Sequence, residues 1–181
     1  MKPFSEMTQP EIGAYVVTKL KESGFLVVLS GGAVVSIYSL GRYVSKDLDL
    51  IDIYPSRKIK LKEVMQAIGF IEEAKYYRHP DSKYFVEILP GPLGIGEELN
   101  VKTVEKKYST GTLVLITPTE CIKDRLAAYY HWGDLQSLEQ AVLVAGYQKI
   151  NLEEVRRWSK KEGKLRDFEN IFSRLTSKAI K

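Results

Sequence analysis

The run Phe25-Leu26-Val27-Val28-Leu29-Ser30-Gly31-Gly32, with Asp47-Leu48-Asp49-Leu50-Ile51-Asp52-Ile53 after it, decides how this chain folds. Phe25 to Leu29 is apolar and rich in β-branched residues, which predicts a short buried strand. Two glycines follow where that strand must turn, and Ala33-Val34-Val35-Ser36-Ile37-Tyr38-Ser39-Leu40 reads as the helix beyond. Passing through glycines into a helix N-terminus leaves backbone N–H groups unpaired, and with no Cβ in the way they can approach a triphosphate closely. In the second run polar and apolar residues alternate with the period of a strand. Asp47 and Asp49 therefore share one face, Leu48 and Leu50 the other, and Asp52, of opposite parity, falls off the site.

Two carboxylates on one face repel each other unless a cation sits between them. Hard oxygen ligands favour Mg²⁺ (or Mn²⁺), which keeps several waters and is typically shared between carboxylates and substrate phosphates. Alone, a Gly-Gly pair is usually a turn and an Asp-x-Asp a solvated strand face. Their combination predicts a phosphate cradle and a metal pair in one site, which points to nucleotidyl transfer.

At this point the chain resembles a family. Gly31-Gly32, then Gly41-Arg42, then Ser45-Lys46-Asp47-Leu48-Asp49-Leu50, looks like the signature of the polymerase-β-like nucleotidyltransferase superfamily. More narrowly it is similar to the minimal nucleotidyltransferases and the abortive-infection-type nucleotidyltransferase toxins. The resemblance is strong over residues 25 to 53 and weaker to about 145. It implies a metal-dependent transfer of NMP from an NTP to an acceptor, in which Asp47 and Asp49 hold Mg²⁺ and Gly31 and Gly32, with Ser30 or Ser45, cradle the phosphates. Arg42 and Lys46 would neutralise charge, with a solvated face as the plain alternative.

The family also uses a third carboxylate on a neighbouring strand. Lys83-Tyr84-Phe85-Val86-Glu87-Ile88-Leu89-Pro90 is the best strand for it, and Glu87 is its one acid, set among apolar residues where an unpaired charge is unfavourable. That favours Glu87 as the third metal ligand and as helper in deprotonating the acceptor hydroxyl, with a partly exposed Glu on an edge strand as the plain alternative. Aspartate is commoner there in the family. The resemblance further assigns a basic residue on the helix around Cys121 to Trp132 to the nucleotide, where relatives mostly have lysine and this chain has Arg125. A salt bridge from Arg125 to Asp124 or Glu120 is an equal reading. Asp134 lies near an aspartate of those relatives, and the N-cap of the next helix is the simpler role for it. His131 and Trp132 read as packing residues.

Working outward, Thr8-Gln9-Pro10-Glu11 predicts a capping box opening a helix to about Ser23. Ser56 is read as starting a further helix with Ile59, Val64, Ala67 and Ile68 on its apolar face. Residues 70 to 89 read as two strands about His79-Pro80-Asp81-Ser82, and 100 to 116 as a hairpin about Ser109-Thr110-Gly111. From Thr117-Pro118-Thr119-Glu120 the chain turns wholly helical, with helices at about 118–131, 135–146, 151–162 and 164–178. The expected fold class is α+β: a nucleotidyltransferase palm, a small mixed sheet with flanking helices, over residues 1–116, then a C-terminal helical bundle over 117–181.

With 181 residues, 44% hydrophobic and 28% charged, the composition is that of an ordinary globular protein with one sizeable core. No apolar stretch reaches the length of a membrane span, and the N-terminus lacks a signal-peptide core, so the expected location is the cytoplasm. The lone Cys121 excludes an internal disulfide and reads as a buried core residue. From Lys149 to Lys181 ten Lys and Arg face five Asp and Glu, and the chain before them sums to about −1. Arg156, Arg157, Lys160, Lys161, Lys164 and Arg166, with Trp158 among them and Tyr76, Tyr77 and Arg78 elsewhere, form a candidate RNA-binding set, against a solvated helix face. The expected partners are an NTP and an acceptor that is RNA, protein or a small molecule, with an antitoxin protein if the chain is a toxin. The rival readings are a non-catalytic nucleotide-binding or regulatory protein on the same fold, and a structural or antitoxin-binding interaction protein.

Overall fold

The computed structural model describes residues 2–54 and 58–177. Helix α1 (Gln9–Glu22) opens as the sequence predicts, with Thr8 and Glu11 forming a reciprocal capping box and proline in its first turn. It lies close on the sheet below. A Cβ at Gly13 would stand 3.2 Å from Leu113 and 3.4 Å from Leu48, so a small residue at this position sets how near helix and sheet can pack.

The strand β1 (Val27–Ser30) follows, then α2 (Gly31–Tyr38), β2 (Asp47–Asp52), α3 (Lys58–Ala67), β3 (Ile71–Glu73), β4 (Tyr76–Arg78), β5 (Phe85–Pro90), β6 (Thr103–Tyr108) and β7 (Gly111–Ile116). These strands form one seven-stranded sheet in the order β3-β4-β5-β2-β1-β7-β6. β2 pairs antiparallel with β1 and parallel with β5, and β1 pairs parallel with β7, so the sheet is mixed. Along β2 the side chains alternate between half-buried and buried, and Leu48 and Leu50 are fully enclosed with Leu29, Leu113 and Leu115. Asp52 shares that apolar side, as its parity predicts, and its carboxylate accepts a hydrogen bond from the Tyr54 N–H at 3.2 Å.

The structure corrects several sequence expectations. The helix expected from Ala33 is bounded at Gly31, whose left-handed φ of +69° makes the turn out of the strand as expected, while Gly32 already lies in the helix. Residues 70 to 89 form three strands, because Ala74-Lys75 make an extra tight turn with Ala74 at a left-handed φ of 55°. Nothing in the type of Ala74 or Lys75 signals such a turn. Among the described side chains of α3 Met65 is enclosed, and Ala67 is exposed. Ser56, and the side chain of Ile59, lie outside the described residues.

The helices α4 (Pro118–Trp132), α5 (Leu135–Tyr147), α6 (Leu152–Lys161) and α7 (Leu165–Thr176) complete the chain. Thr117, Asp134 and Asn151 cap the first three with side-chain oxygens that accept from backbone N–H groups. The buried side chains include Cys121, Ile122, Leu126, Leu138, Val144, Val155, Phe168 and Leu175, and burial pushes the Cys121 thiol far up, leaving it inert at neutral pH. Trp158 is enclosed, stacked on Tyr130 with ring centroids 5.8 Å apart, so it offers no ring to a base. Trp132 is 79% exposed, which overturns its reading as a packing residue. Among the described residues no helix is long and apolar enough to cross a membrane.

By contact the chain divides into two compact units. One holds the sheet and comprises residues up to Ala33, Ser45–Leu93 and Thr103–Ile116. The other is helical and comprises Val34–Val44, Gly94–Lys102 and the residues from Thr117 onward.

Candidate functional site

The sheet face opposite Leu48 and Leu50 carries the polar set. Strand register pairs Ser30 with Asp49, Asp49 with Glu87 and Glu87 with Tyr76. Directly paired residues point to one face, so Ser30, Asp49, Glu87 and Tyr76 form a row across four strands. The row beside it, by the same pairings, is Asp47, Phe85 and Arg78. The structure thus brings Asp47, Asp49 and Glu87 onto one face.

Gly31 has φ +69° and a Cβ there would collide with the Asp49 carboxylate. The sequence reads this glycine as room for phosphate, and the structure adds that the room is needed first for Asp49. The carboxylate thereby stands against the amino end of α2, whose unpaired N–H groups favour negative charge.

Asp47 is held from two sides. Ser45, itself buried, donates its hydroxyl to the Asp47 carboxylate. The Gln9 amide, also buried, donates to the backbone carbonyls of Ser45 at 3.1 Å and Asp47 at 3.0 Å. Gln9 is a residue that sequence reasoning missed. Its position in a capping-box motif gives no hint of contact with a loop 36 residues away. Lys46 is exposed.

Glu87 is mostly enclosed, with its side chain 13% exposed, and accepts a hydrogen bond from the Lys75 ammonium at 3.0 Å. This contact holds Lys75 above the usual lysine range. Lys75 sits in the turn between β3 and β4 that periodicity did not reveal, so its role was hidden from the sequence too.

The donors suit a hard divalent cation, because carboxylate oxygens on adjacent positions of one face are the ligands Mg²⁺ takes. Among the described residues no three His, Cys, Asp or Glu side chains are already gathered closely enough to hold a metal. Asp47 and Asp49 fit as the primary pair, and Glu87 would join them on releasing Lys75.

Arg42 and Arg125 belong to the helical unit. Arg42 is exposed. Arg125 donates to Asp124 through Nε at 3.0 Å and Nη2 at 2.5 Å, and to Gln140 at 3.3 Å. Asp134 caps α5, accepting from the N–H groups of Gln136 and Ser137 and from the Ser137 hydroxyl at 2.7 Å, and these bonds hold its carboxyl below the usual range. His131 stands 3.6 Å from Glu162, a neighbour the sequence did not suggest.

A second carboxylate group lies in the helical unit. Lys123 is almost completely buried, with Glu98 at 2.9 Å, Glu154 at 3.0 Å and Glu120 at 3.2 Å, and Lys102 reaches Glu154 at 2.8 Å. Burial works against the Lys123 charge, but the three carboxylates outweigh it and hold the group above its usual value. Burial pushes the Glu120 carboxyl up, and the Lys102 hydrogen bond, with Lys123 beside it, holds Glu154 down.

No protein-family model matches the chain, and no curated protein does. Solved structures share its fold. An antigenic nucleotidyltransferase-like protein from Paracoccidioides brasiliensis superposes with a TM-score of 0.62 at 14% identity, over 97% of this chain and 96% of that one. The antibiotic-resistance factor ANT(2'')-Ia superposes in its solution structure at 0.53 and 14% identity, covering 93% and 94% of the two chains. The same factor in complex with adenylyl-2''-tobramycin gives 0.50 at 15% identity, covering 86% and 95%. At such identities the likeness is one of fold: an α+β chain with a mixed sheet, flanking helices and C-terminal helices, as in nucleotidyltransferase-like proteins.

Proposed function

We propose, from that fold and the row Ser30, Asp49 and Glu87 with Asp47 beside it, that the protein is a metal-dependent nucleotidyltransferase moving NMP from an NTP to an acceptor hydroxyl. The single observation that carries the reading is the register that sets Asp49 between Ser30 and Glu87 on one face of the sheet. Asp47 and Asp49 would hold Mg²⁺ or Mn²⁺, which when bound supplies charge neutralisation on the triphosphate and polarises its oxygens.

The chain's own residues do the rest. Ser45 and Gln9 orient Asp47, and Gly31 admits the Asp49 carboxylate to the amino end of α2. Backbone N–H groups at Gly31 and Gly32, with the Ser30 hydroxyl, receive phosphate oxygens, and Lys46 is assigned to charge on the nucleotide, whereas Arg125 is held by Asp124 and Gln140 within the helical unit. The acceptor oxygen forms a bond to the α-phosphorus, the bond from that phosphorus to pyrophosphate breaks, and Glu87 takes the hydroxyl proton once Lys75 has turned away. Residues 1–116 would carry the transfer and 117–181 an accessory helical region.

The acceptor is RNA, a protein or a small molecule. ANT(2'')-Ia, bound to adenylyl-2''-tobramycin, shows the fold on a small-molecule product. A toxin role with an antitoxin partner, and a cytoplasmic setting, rest on the resemblance of residues 25 to 53 alone.

The test is release of pyrophosphate and transfer of α-labelled phosphate from each of the four NTPs with Mg²⁺ or Mn²⁺, for the natural protein and for Asp49→Asn. Label incorporation that depends on metal and on Asp49 supports the reading, and turnover by Asp49→Asn at the natural rate would overturn it. One observation favours a second reading, nucleotide binding without transfer: the bridge of Glu87 to Lys75 neutralises the proton acceptor. That reading expects tight NTP binding with no pyrophosphate released.

A further inference from the structure

We propose that the acceptor side of this site is the patch of Tyr76, Arg78 and Phe85, and that it receives a nucleotide unit, a base together with its phosphate. The proposal rests on the transfer reading above, which fixes the direction of attack. In phosphoryl transfer the attacking and leaving oxygens lie roughly in line across the phosphorus. With the triphosphate at the Ser30 and Gly31 end of the row, the attacking hydroxyl arrives from the Glu87 end. Register sets Tyr76 next beyond Glu87, Phe85 beside Asp47, and Arg78 beside Phe85, all on the same face.

These side chains already form an aromatic and cationic surface. The rings of Tyr76 and Phe85 meet edge to face with centroids 4.7 Å apart. The Arg78 guanidinium lies 4.6 Å from the Phe85 centroid and 5.9 Å from that of Tyr76, and the Lys75 ammonium is 4.8 Å from the Tyr76 ring. Both rings are half-buried and both cations exposed, whereas the neighbouring Tyr77 points into the apolar side and is enclosed. Tyr77 thus drops out of the aromatic set suggested by the sequence. A cluster serving only stability would close over its rings as the opposite face does over Leu48 and Leu50.

The chemistry selects the ligand. A flat aromatic surface gives a base a stacking partner, and a guanidinium beside it offers planar donors to phosphate. The acidic neighbours do not reverse this, because Glu73 is paired with Arg78 at 3.0 Å and Glu87 with Lys75.

The test measures binding of two probes, a single-stranded oligoadenylate with a free 3'-hydroxyl and AMP alone, to the natural protein and to Tyr76→Leu, Arg78→Gln and Arg78→Lys. The same proteins are titrated with ATP and Mg²⁺ or Mn²⁺. Tyr76→Leu and Arg78→Gln should each weaken probe binding by about tenfold while leaving ATP binding within about twofold. Arg78→Lys, which keeps the charge and loses the planar fork, should fall between, a gradation that a structural defect would not produce. Oligoadenylate binding without AMP binding identifies a nucleic-acid end, and binding of both identifies a free nucleotide as sufficient. The proposal is overturned if the natural protein binds neither probe, if the variants bind as it does, or if they lose ATP and probe together. Failure of the natural protein to bind any of the four NTPs with metal would instead sink the transfer reading itself.

Discussion

Among the described residues two groups of carboxylates are neutralised in different ways. In the helical unit Glu98, Glu120 and Glu154 surround Lys123, a single lysine with almost no exposure. On the sheet, Asp47, Asp49 and Glu87 share a half-buried face, and the described cation next to Glu87 is Lys75, whose side chain is 62% exposed. A buried ion cluster of the first kind has its counter-charge locked in, and removing one partner leaves an uncompensated charge in a poor solvent. The second kind has a counter-charge on a flexible, hydrated stem that can leave. The difference teaches that acidic clustering alone does not mark a site; what matters is whether the compensating charge is exchangeable.

The largest expected effect tests the sheet group. Asp49→Asn should reduce NMP transfer about a thousandfold, since a metal's charge stabilisation amounts to several kcal/mol. Thermal unfolding without metal should change little, because relief of the repulsion between Asp47 and Asp49 is offset by loss of the charge at the amino end of α2. Rates from labelled NTP and a melting curve check both halves. Lys123→Met should do the reverse, lowering stability by about 3–5 kcal/mol while the protein that remains folded binds NTP normally. Denaturant titration measures the first quantity, and a melting curve like that of the natural protein would break the comparison.

Gln9→Leu sharpens it from the side of positioning. The substitution leaves two carbonyls without their donor, which lowers stability by about 1–3 kcal/mol and loosens the strand that presents Asp47. Metal affinity should drop by about tenfold or more, the range seen when support behind a ligand is removed. Calorimetry with Mn²⁺ and ATP reads it, and unchanged affinity would show that Ser45 suffices.

The smallest effect is a pH dependence. Lys102 and Lys123 hold the Glu154 carboxyl below its ordinary value. A depressed carboxyl contributes stability that is complete above the unfolded pKa, near 4.5, and is lost as pH falls through the folded one. Glu154→Gln should therefore flatten the acid limb of the stability curve below about pH 4.5. Acid titrations followed by circular dichroism give the comparison, and identical limbs would mean that Glu154 carries none of it.

Much of this was legible in the sequence, and the reasons are local. Alternation fixed the faces of β2, so Asp47 and Asp49 were assigned correctly to one side and Asp52 to the other. Capping signals at Thr8, Thr117 and Asp134 are contacts within a few residues, and the helices they open start where expected. What stayed hidden depends on distance along the chain or on uncommon backbone. The Ala74-Lys75 turn uses a left-handed non-glycine residue, which propensity argues against, and with it Lys75 was missed. Gln9 and Lys123 act through partners supplied by remote segments. That segments 34–44 and 94–102 group with the helical unit is likewise a matter of tertiary contact, which periodicity does not carry.

The parallel pairing of β1 with β7, through Leu29 and Leu115, has a consequence in time. β1 sits in mid-sheet, yet one of its two neighbours is translated long after it. At the usual pace of translation the interval between Leu29 and Leu115 is roughly five to fifteen seconds. During that interval a nascent β1, even if already zipped to β2, presents an apolar strand edge to solvent or to a chaperone. The ribosome-bound chain is therefore most prone to mispair while the residues up to β7 are still being made, and a translational pause placed before Gly111 would lengthen that exposure.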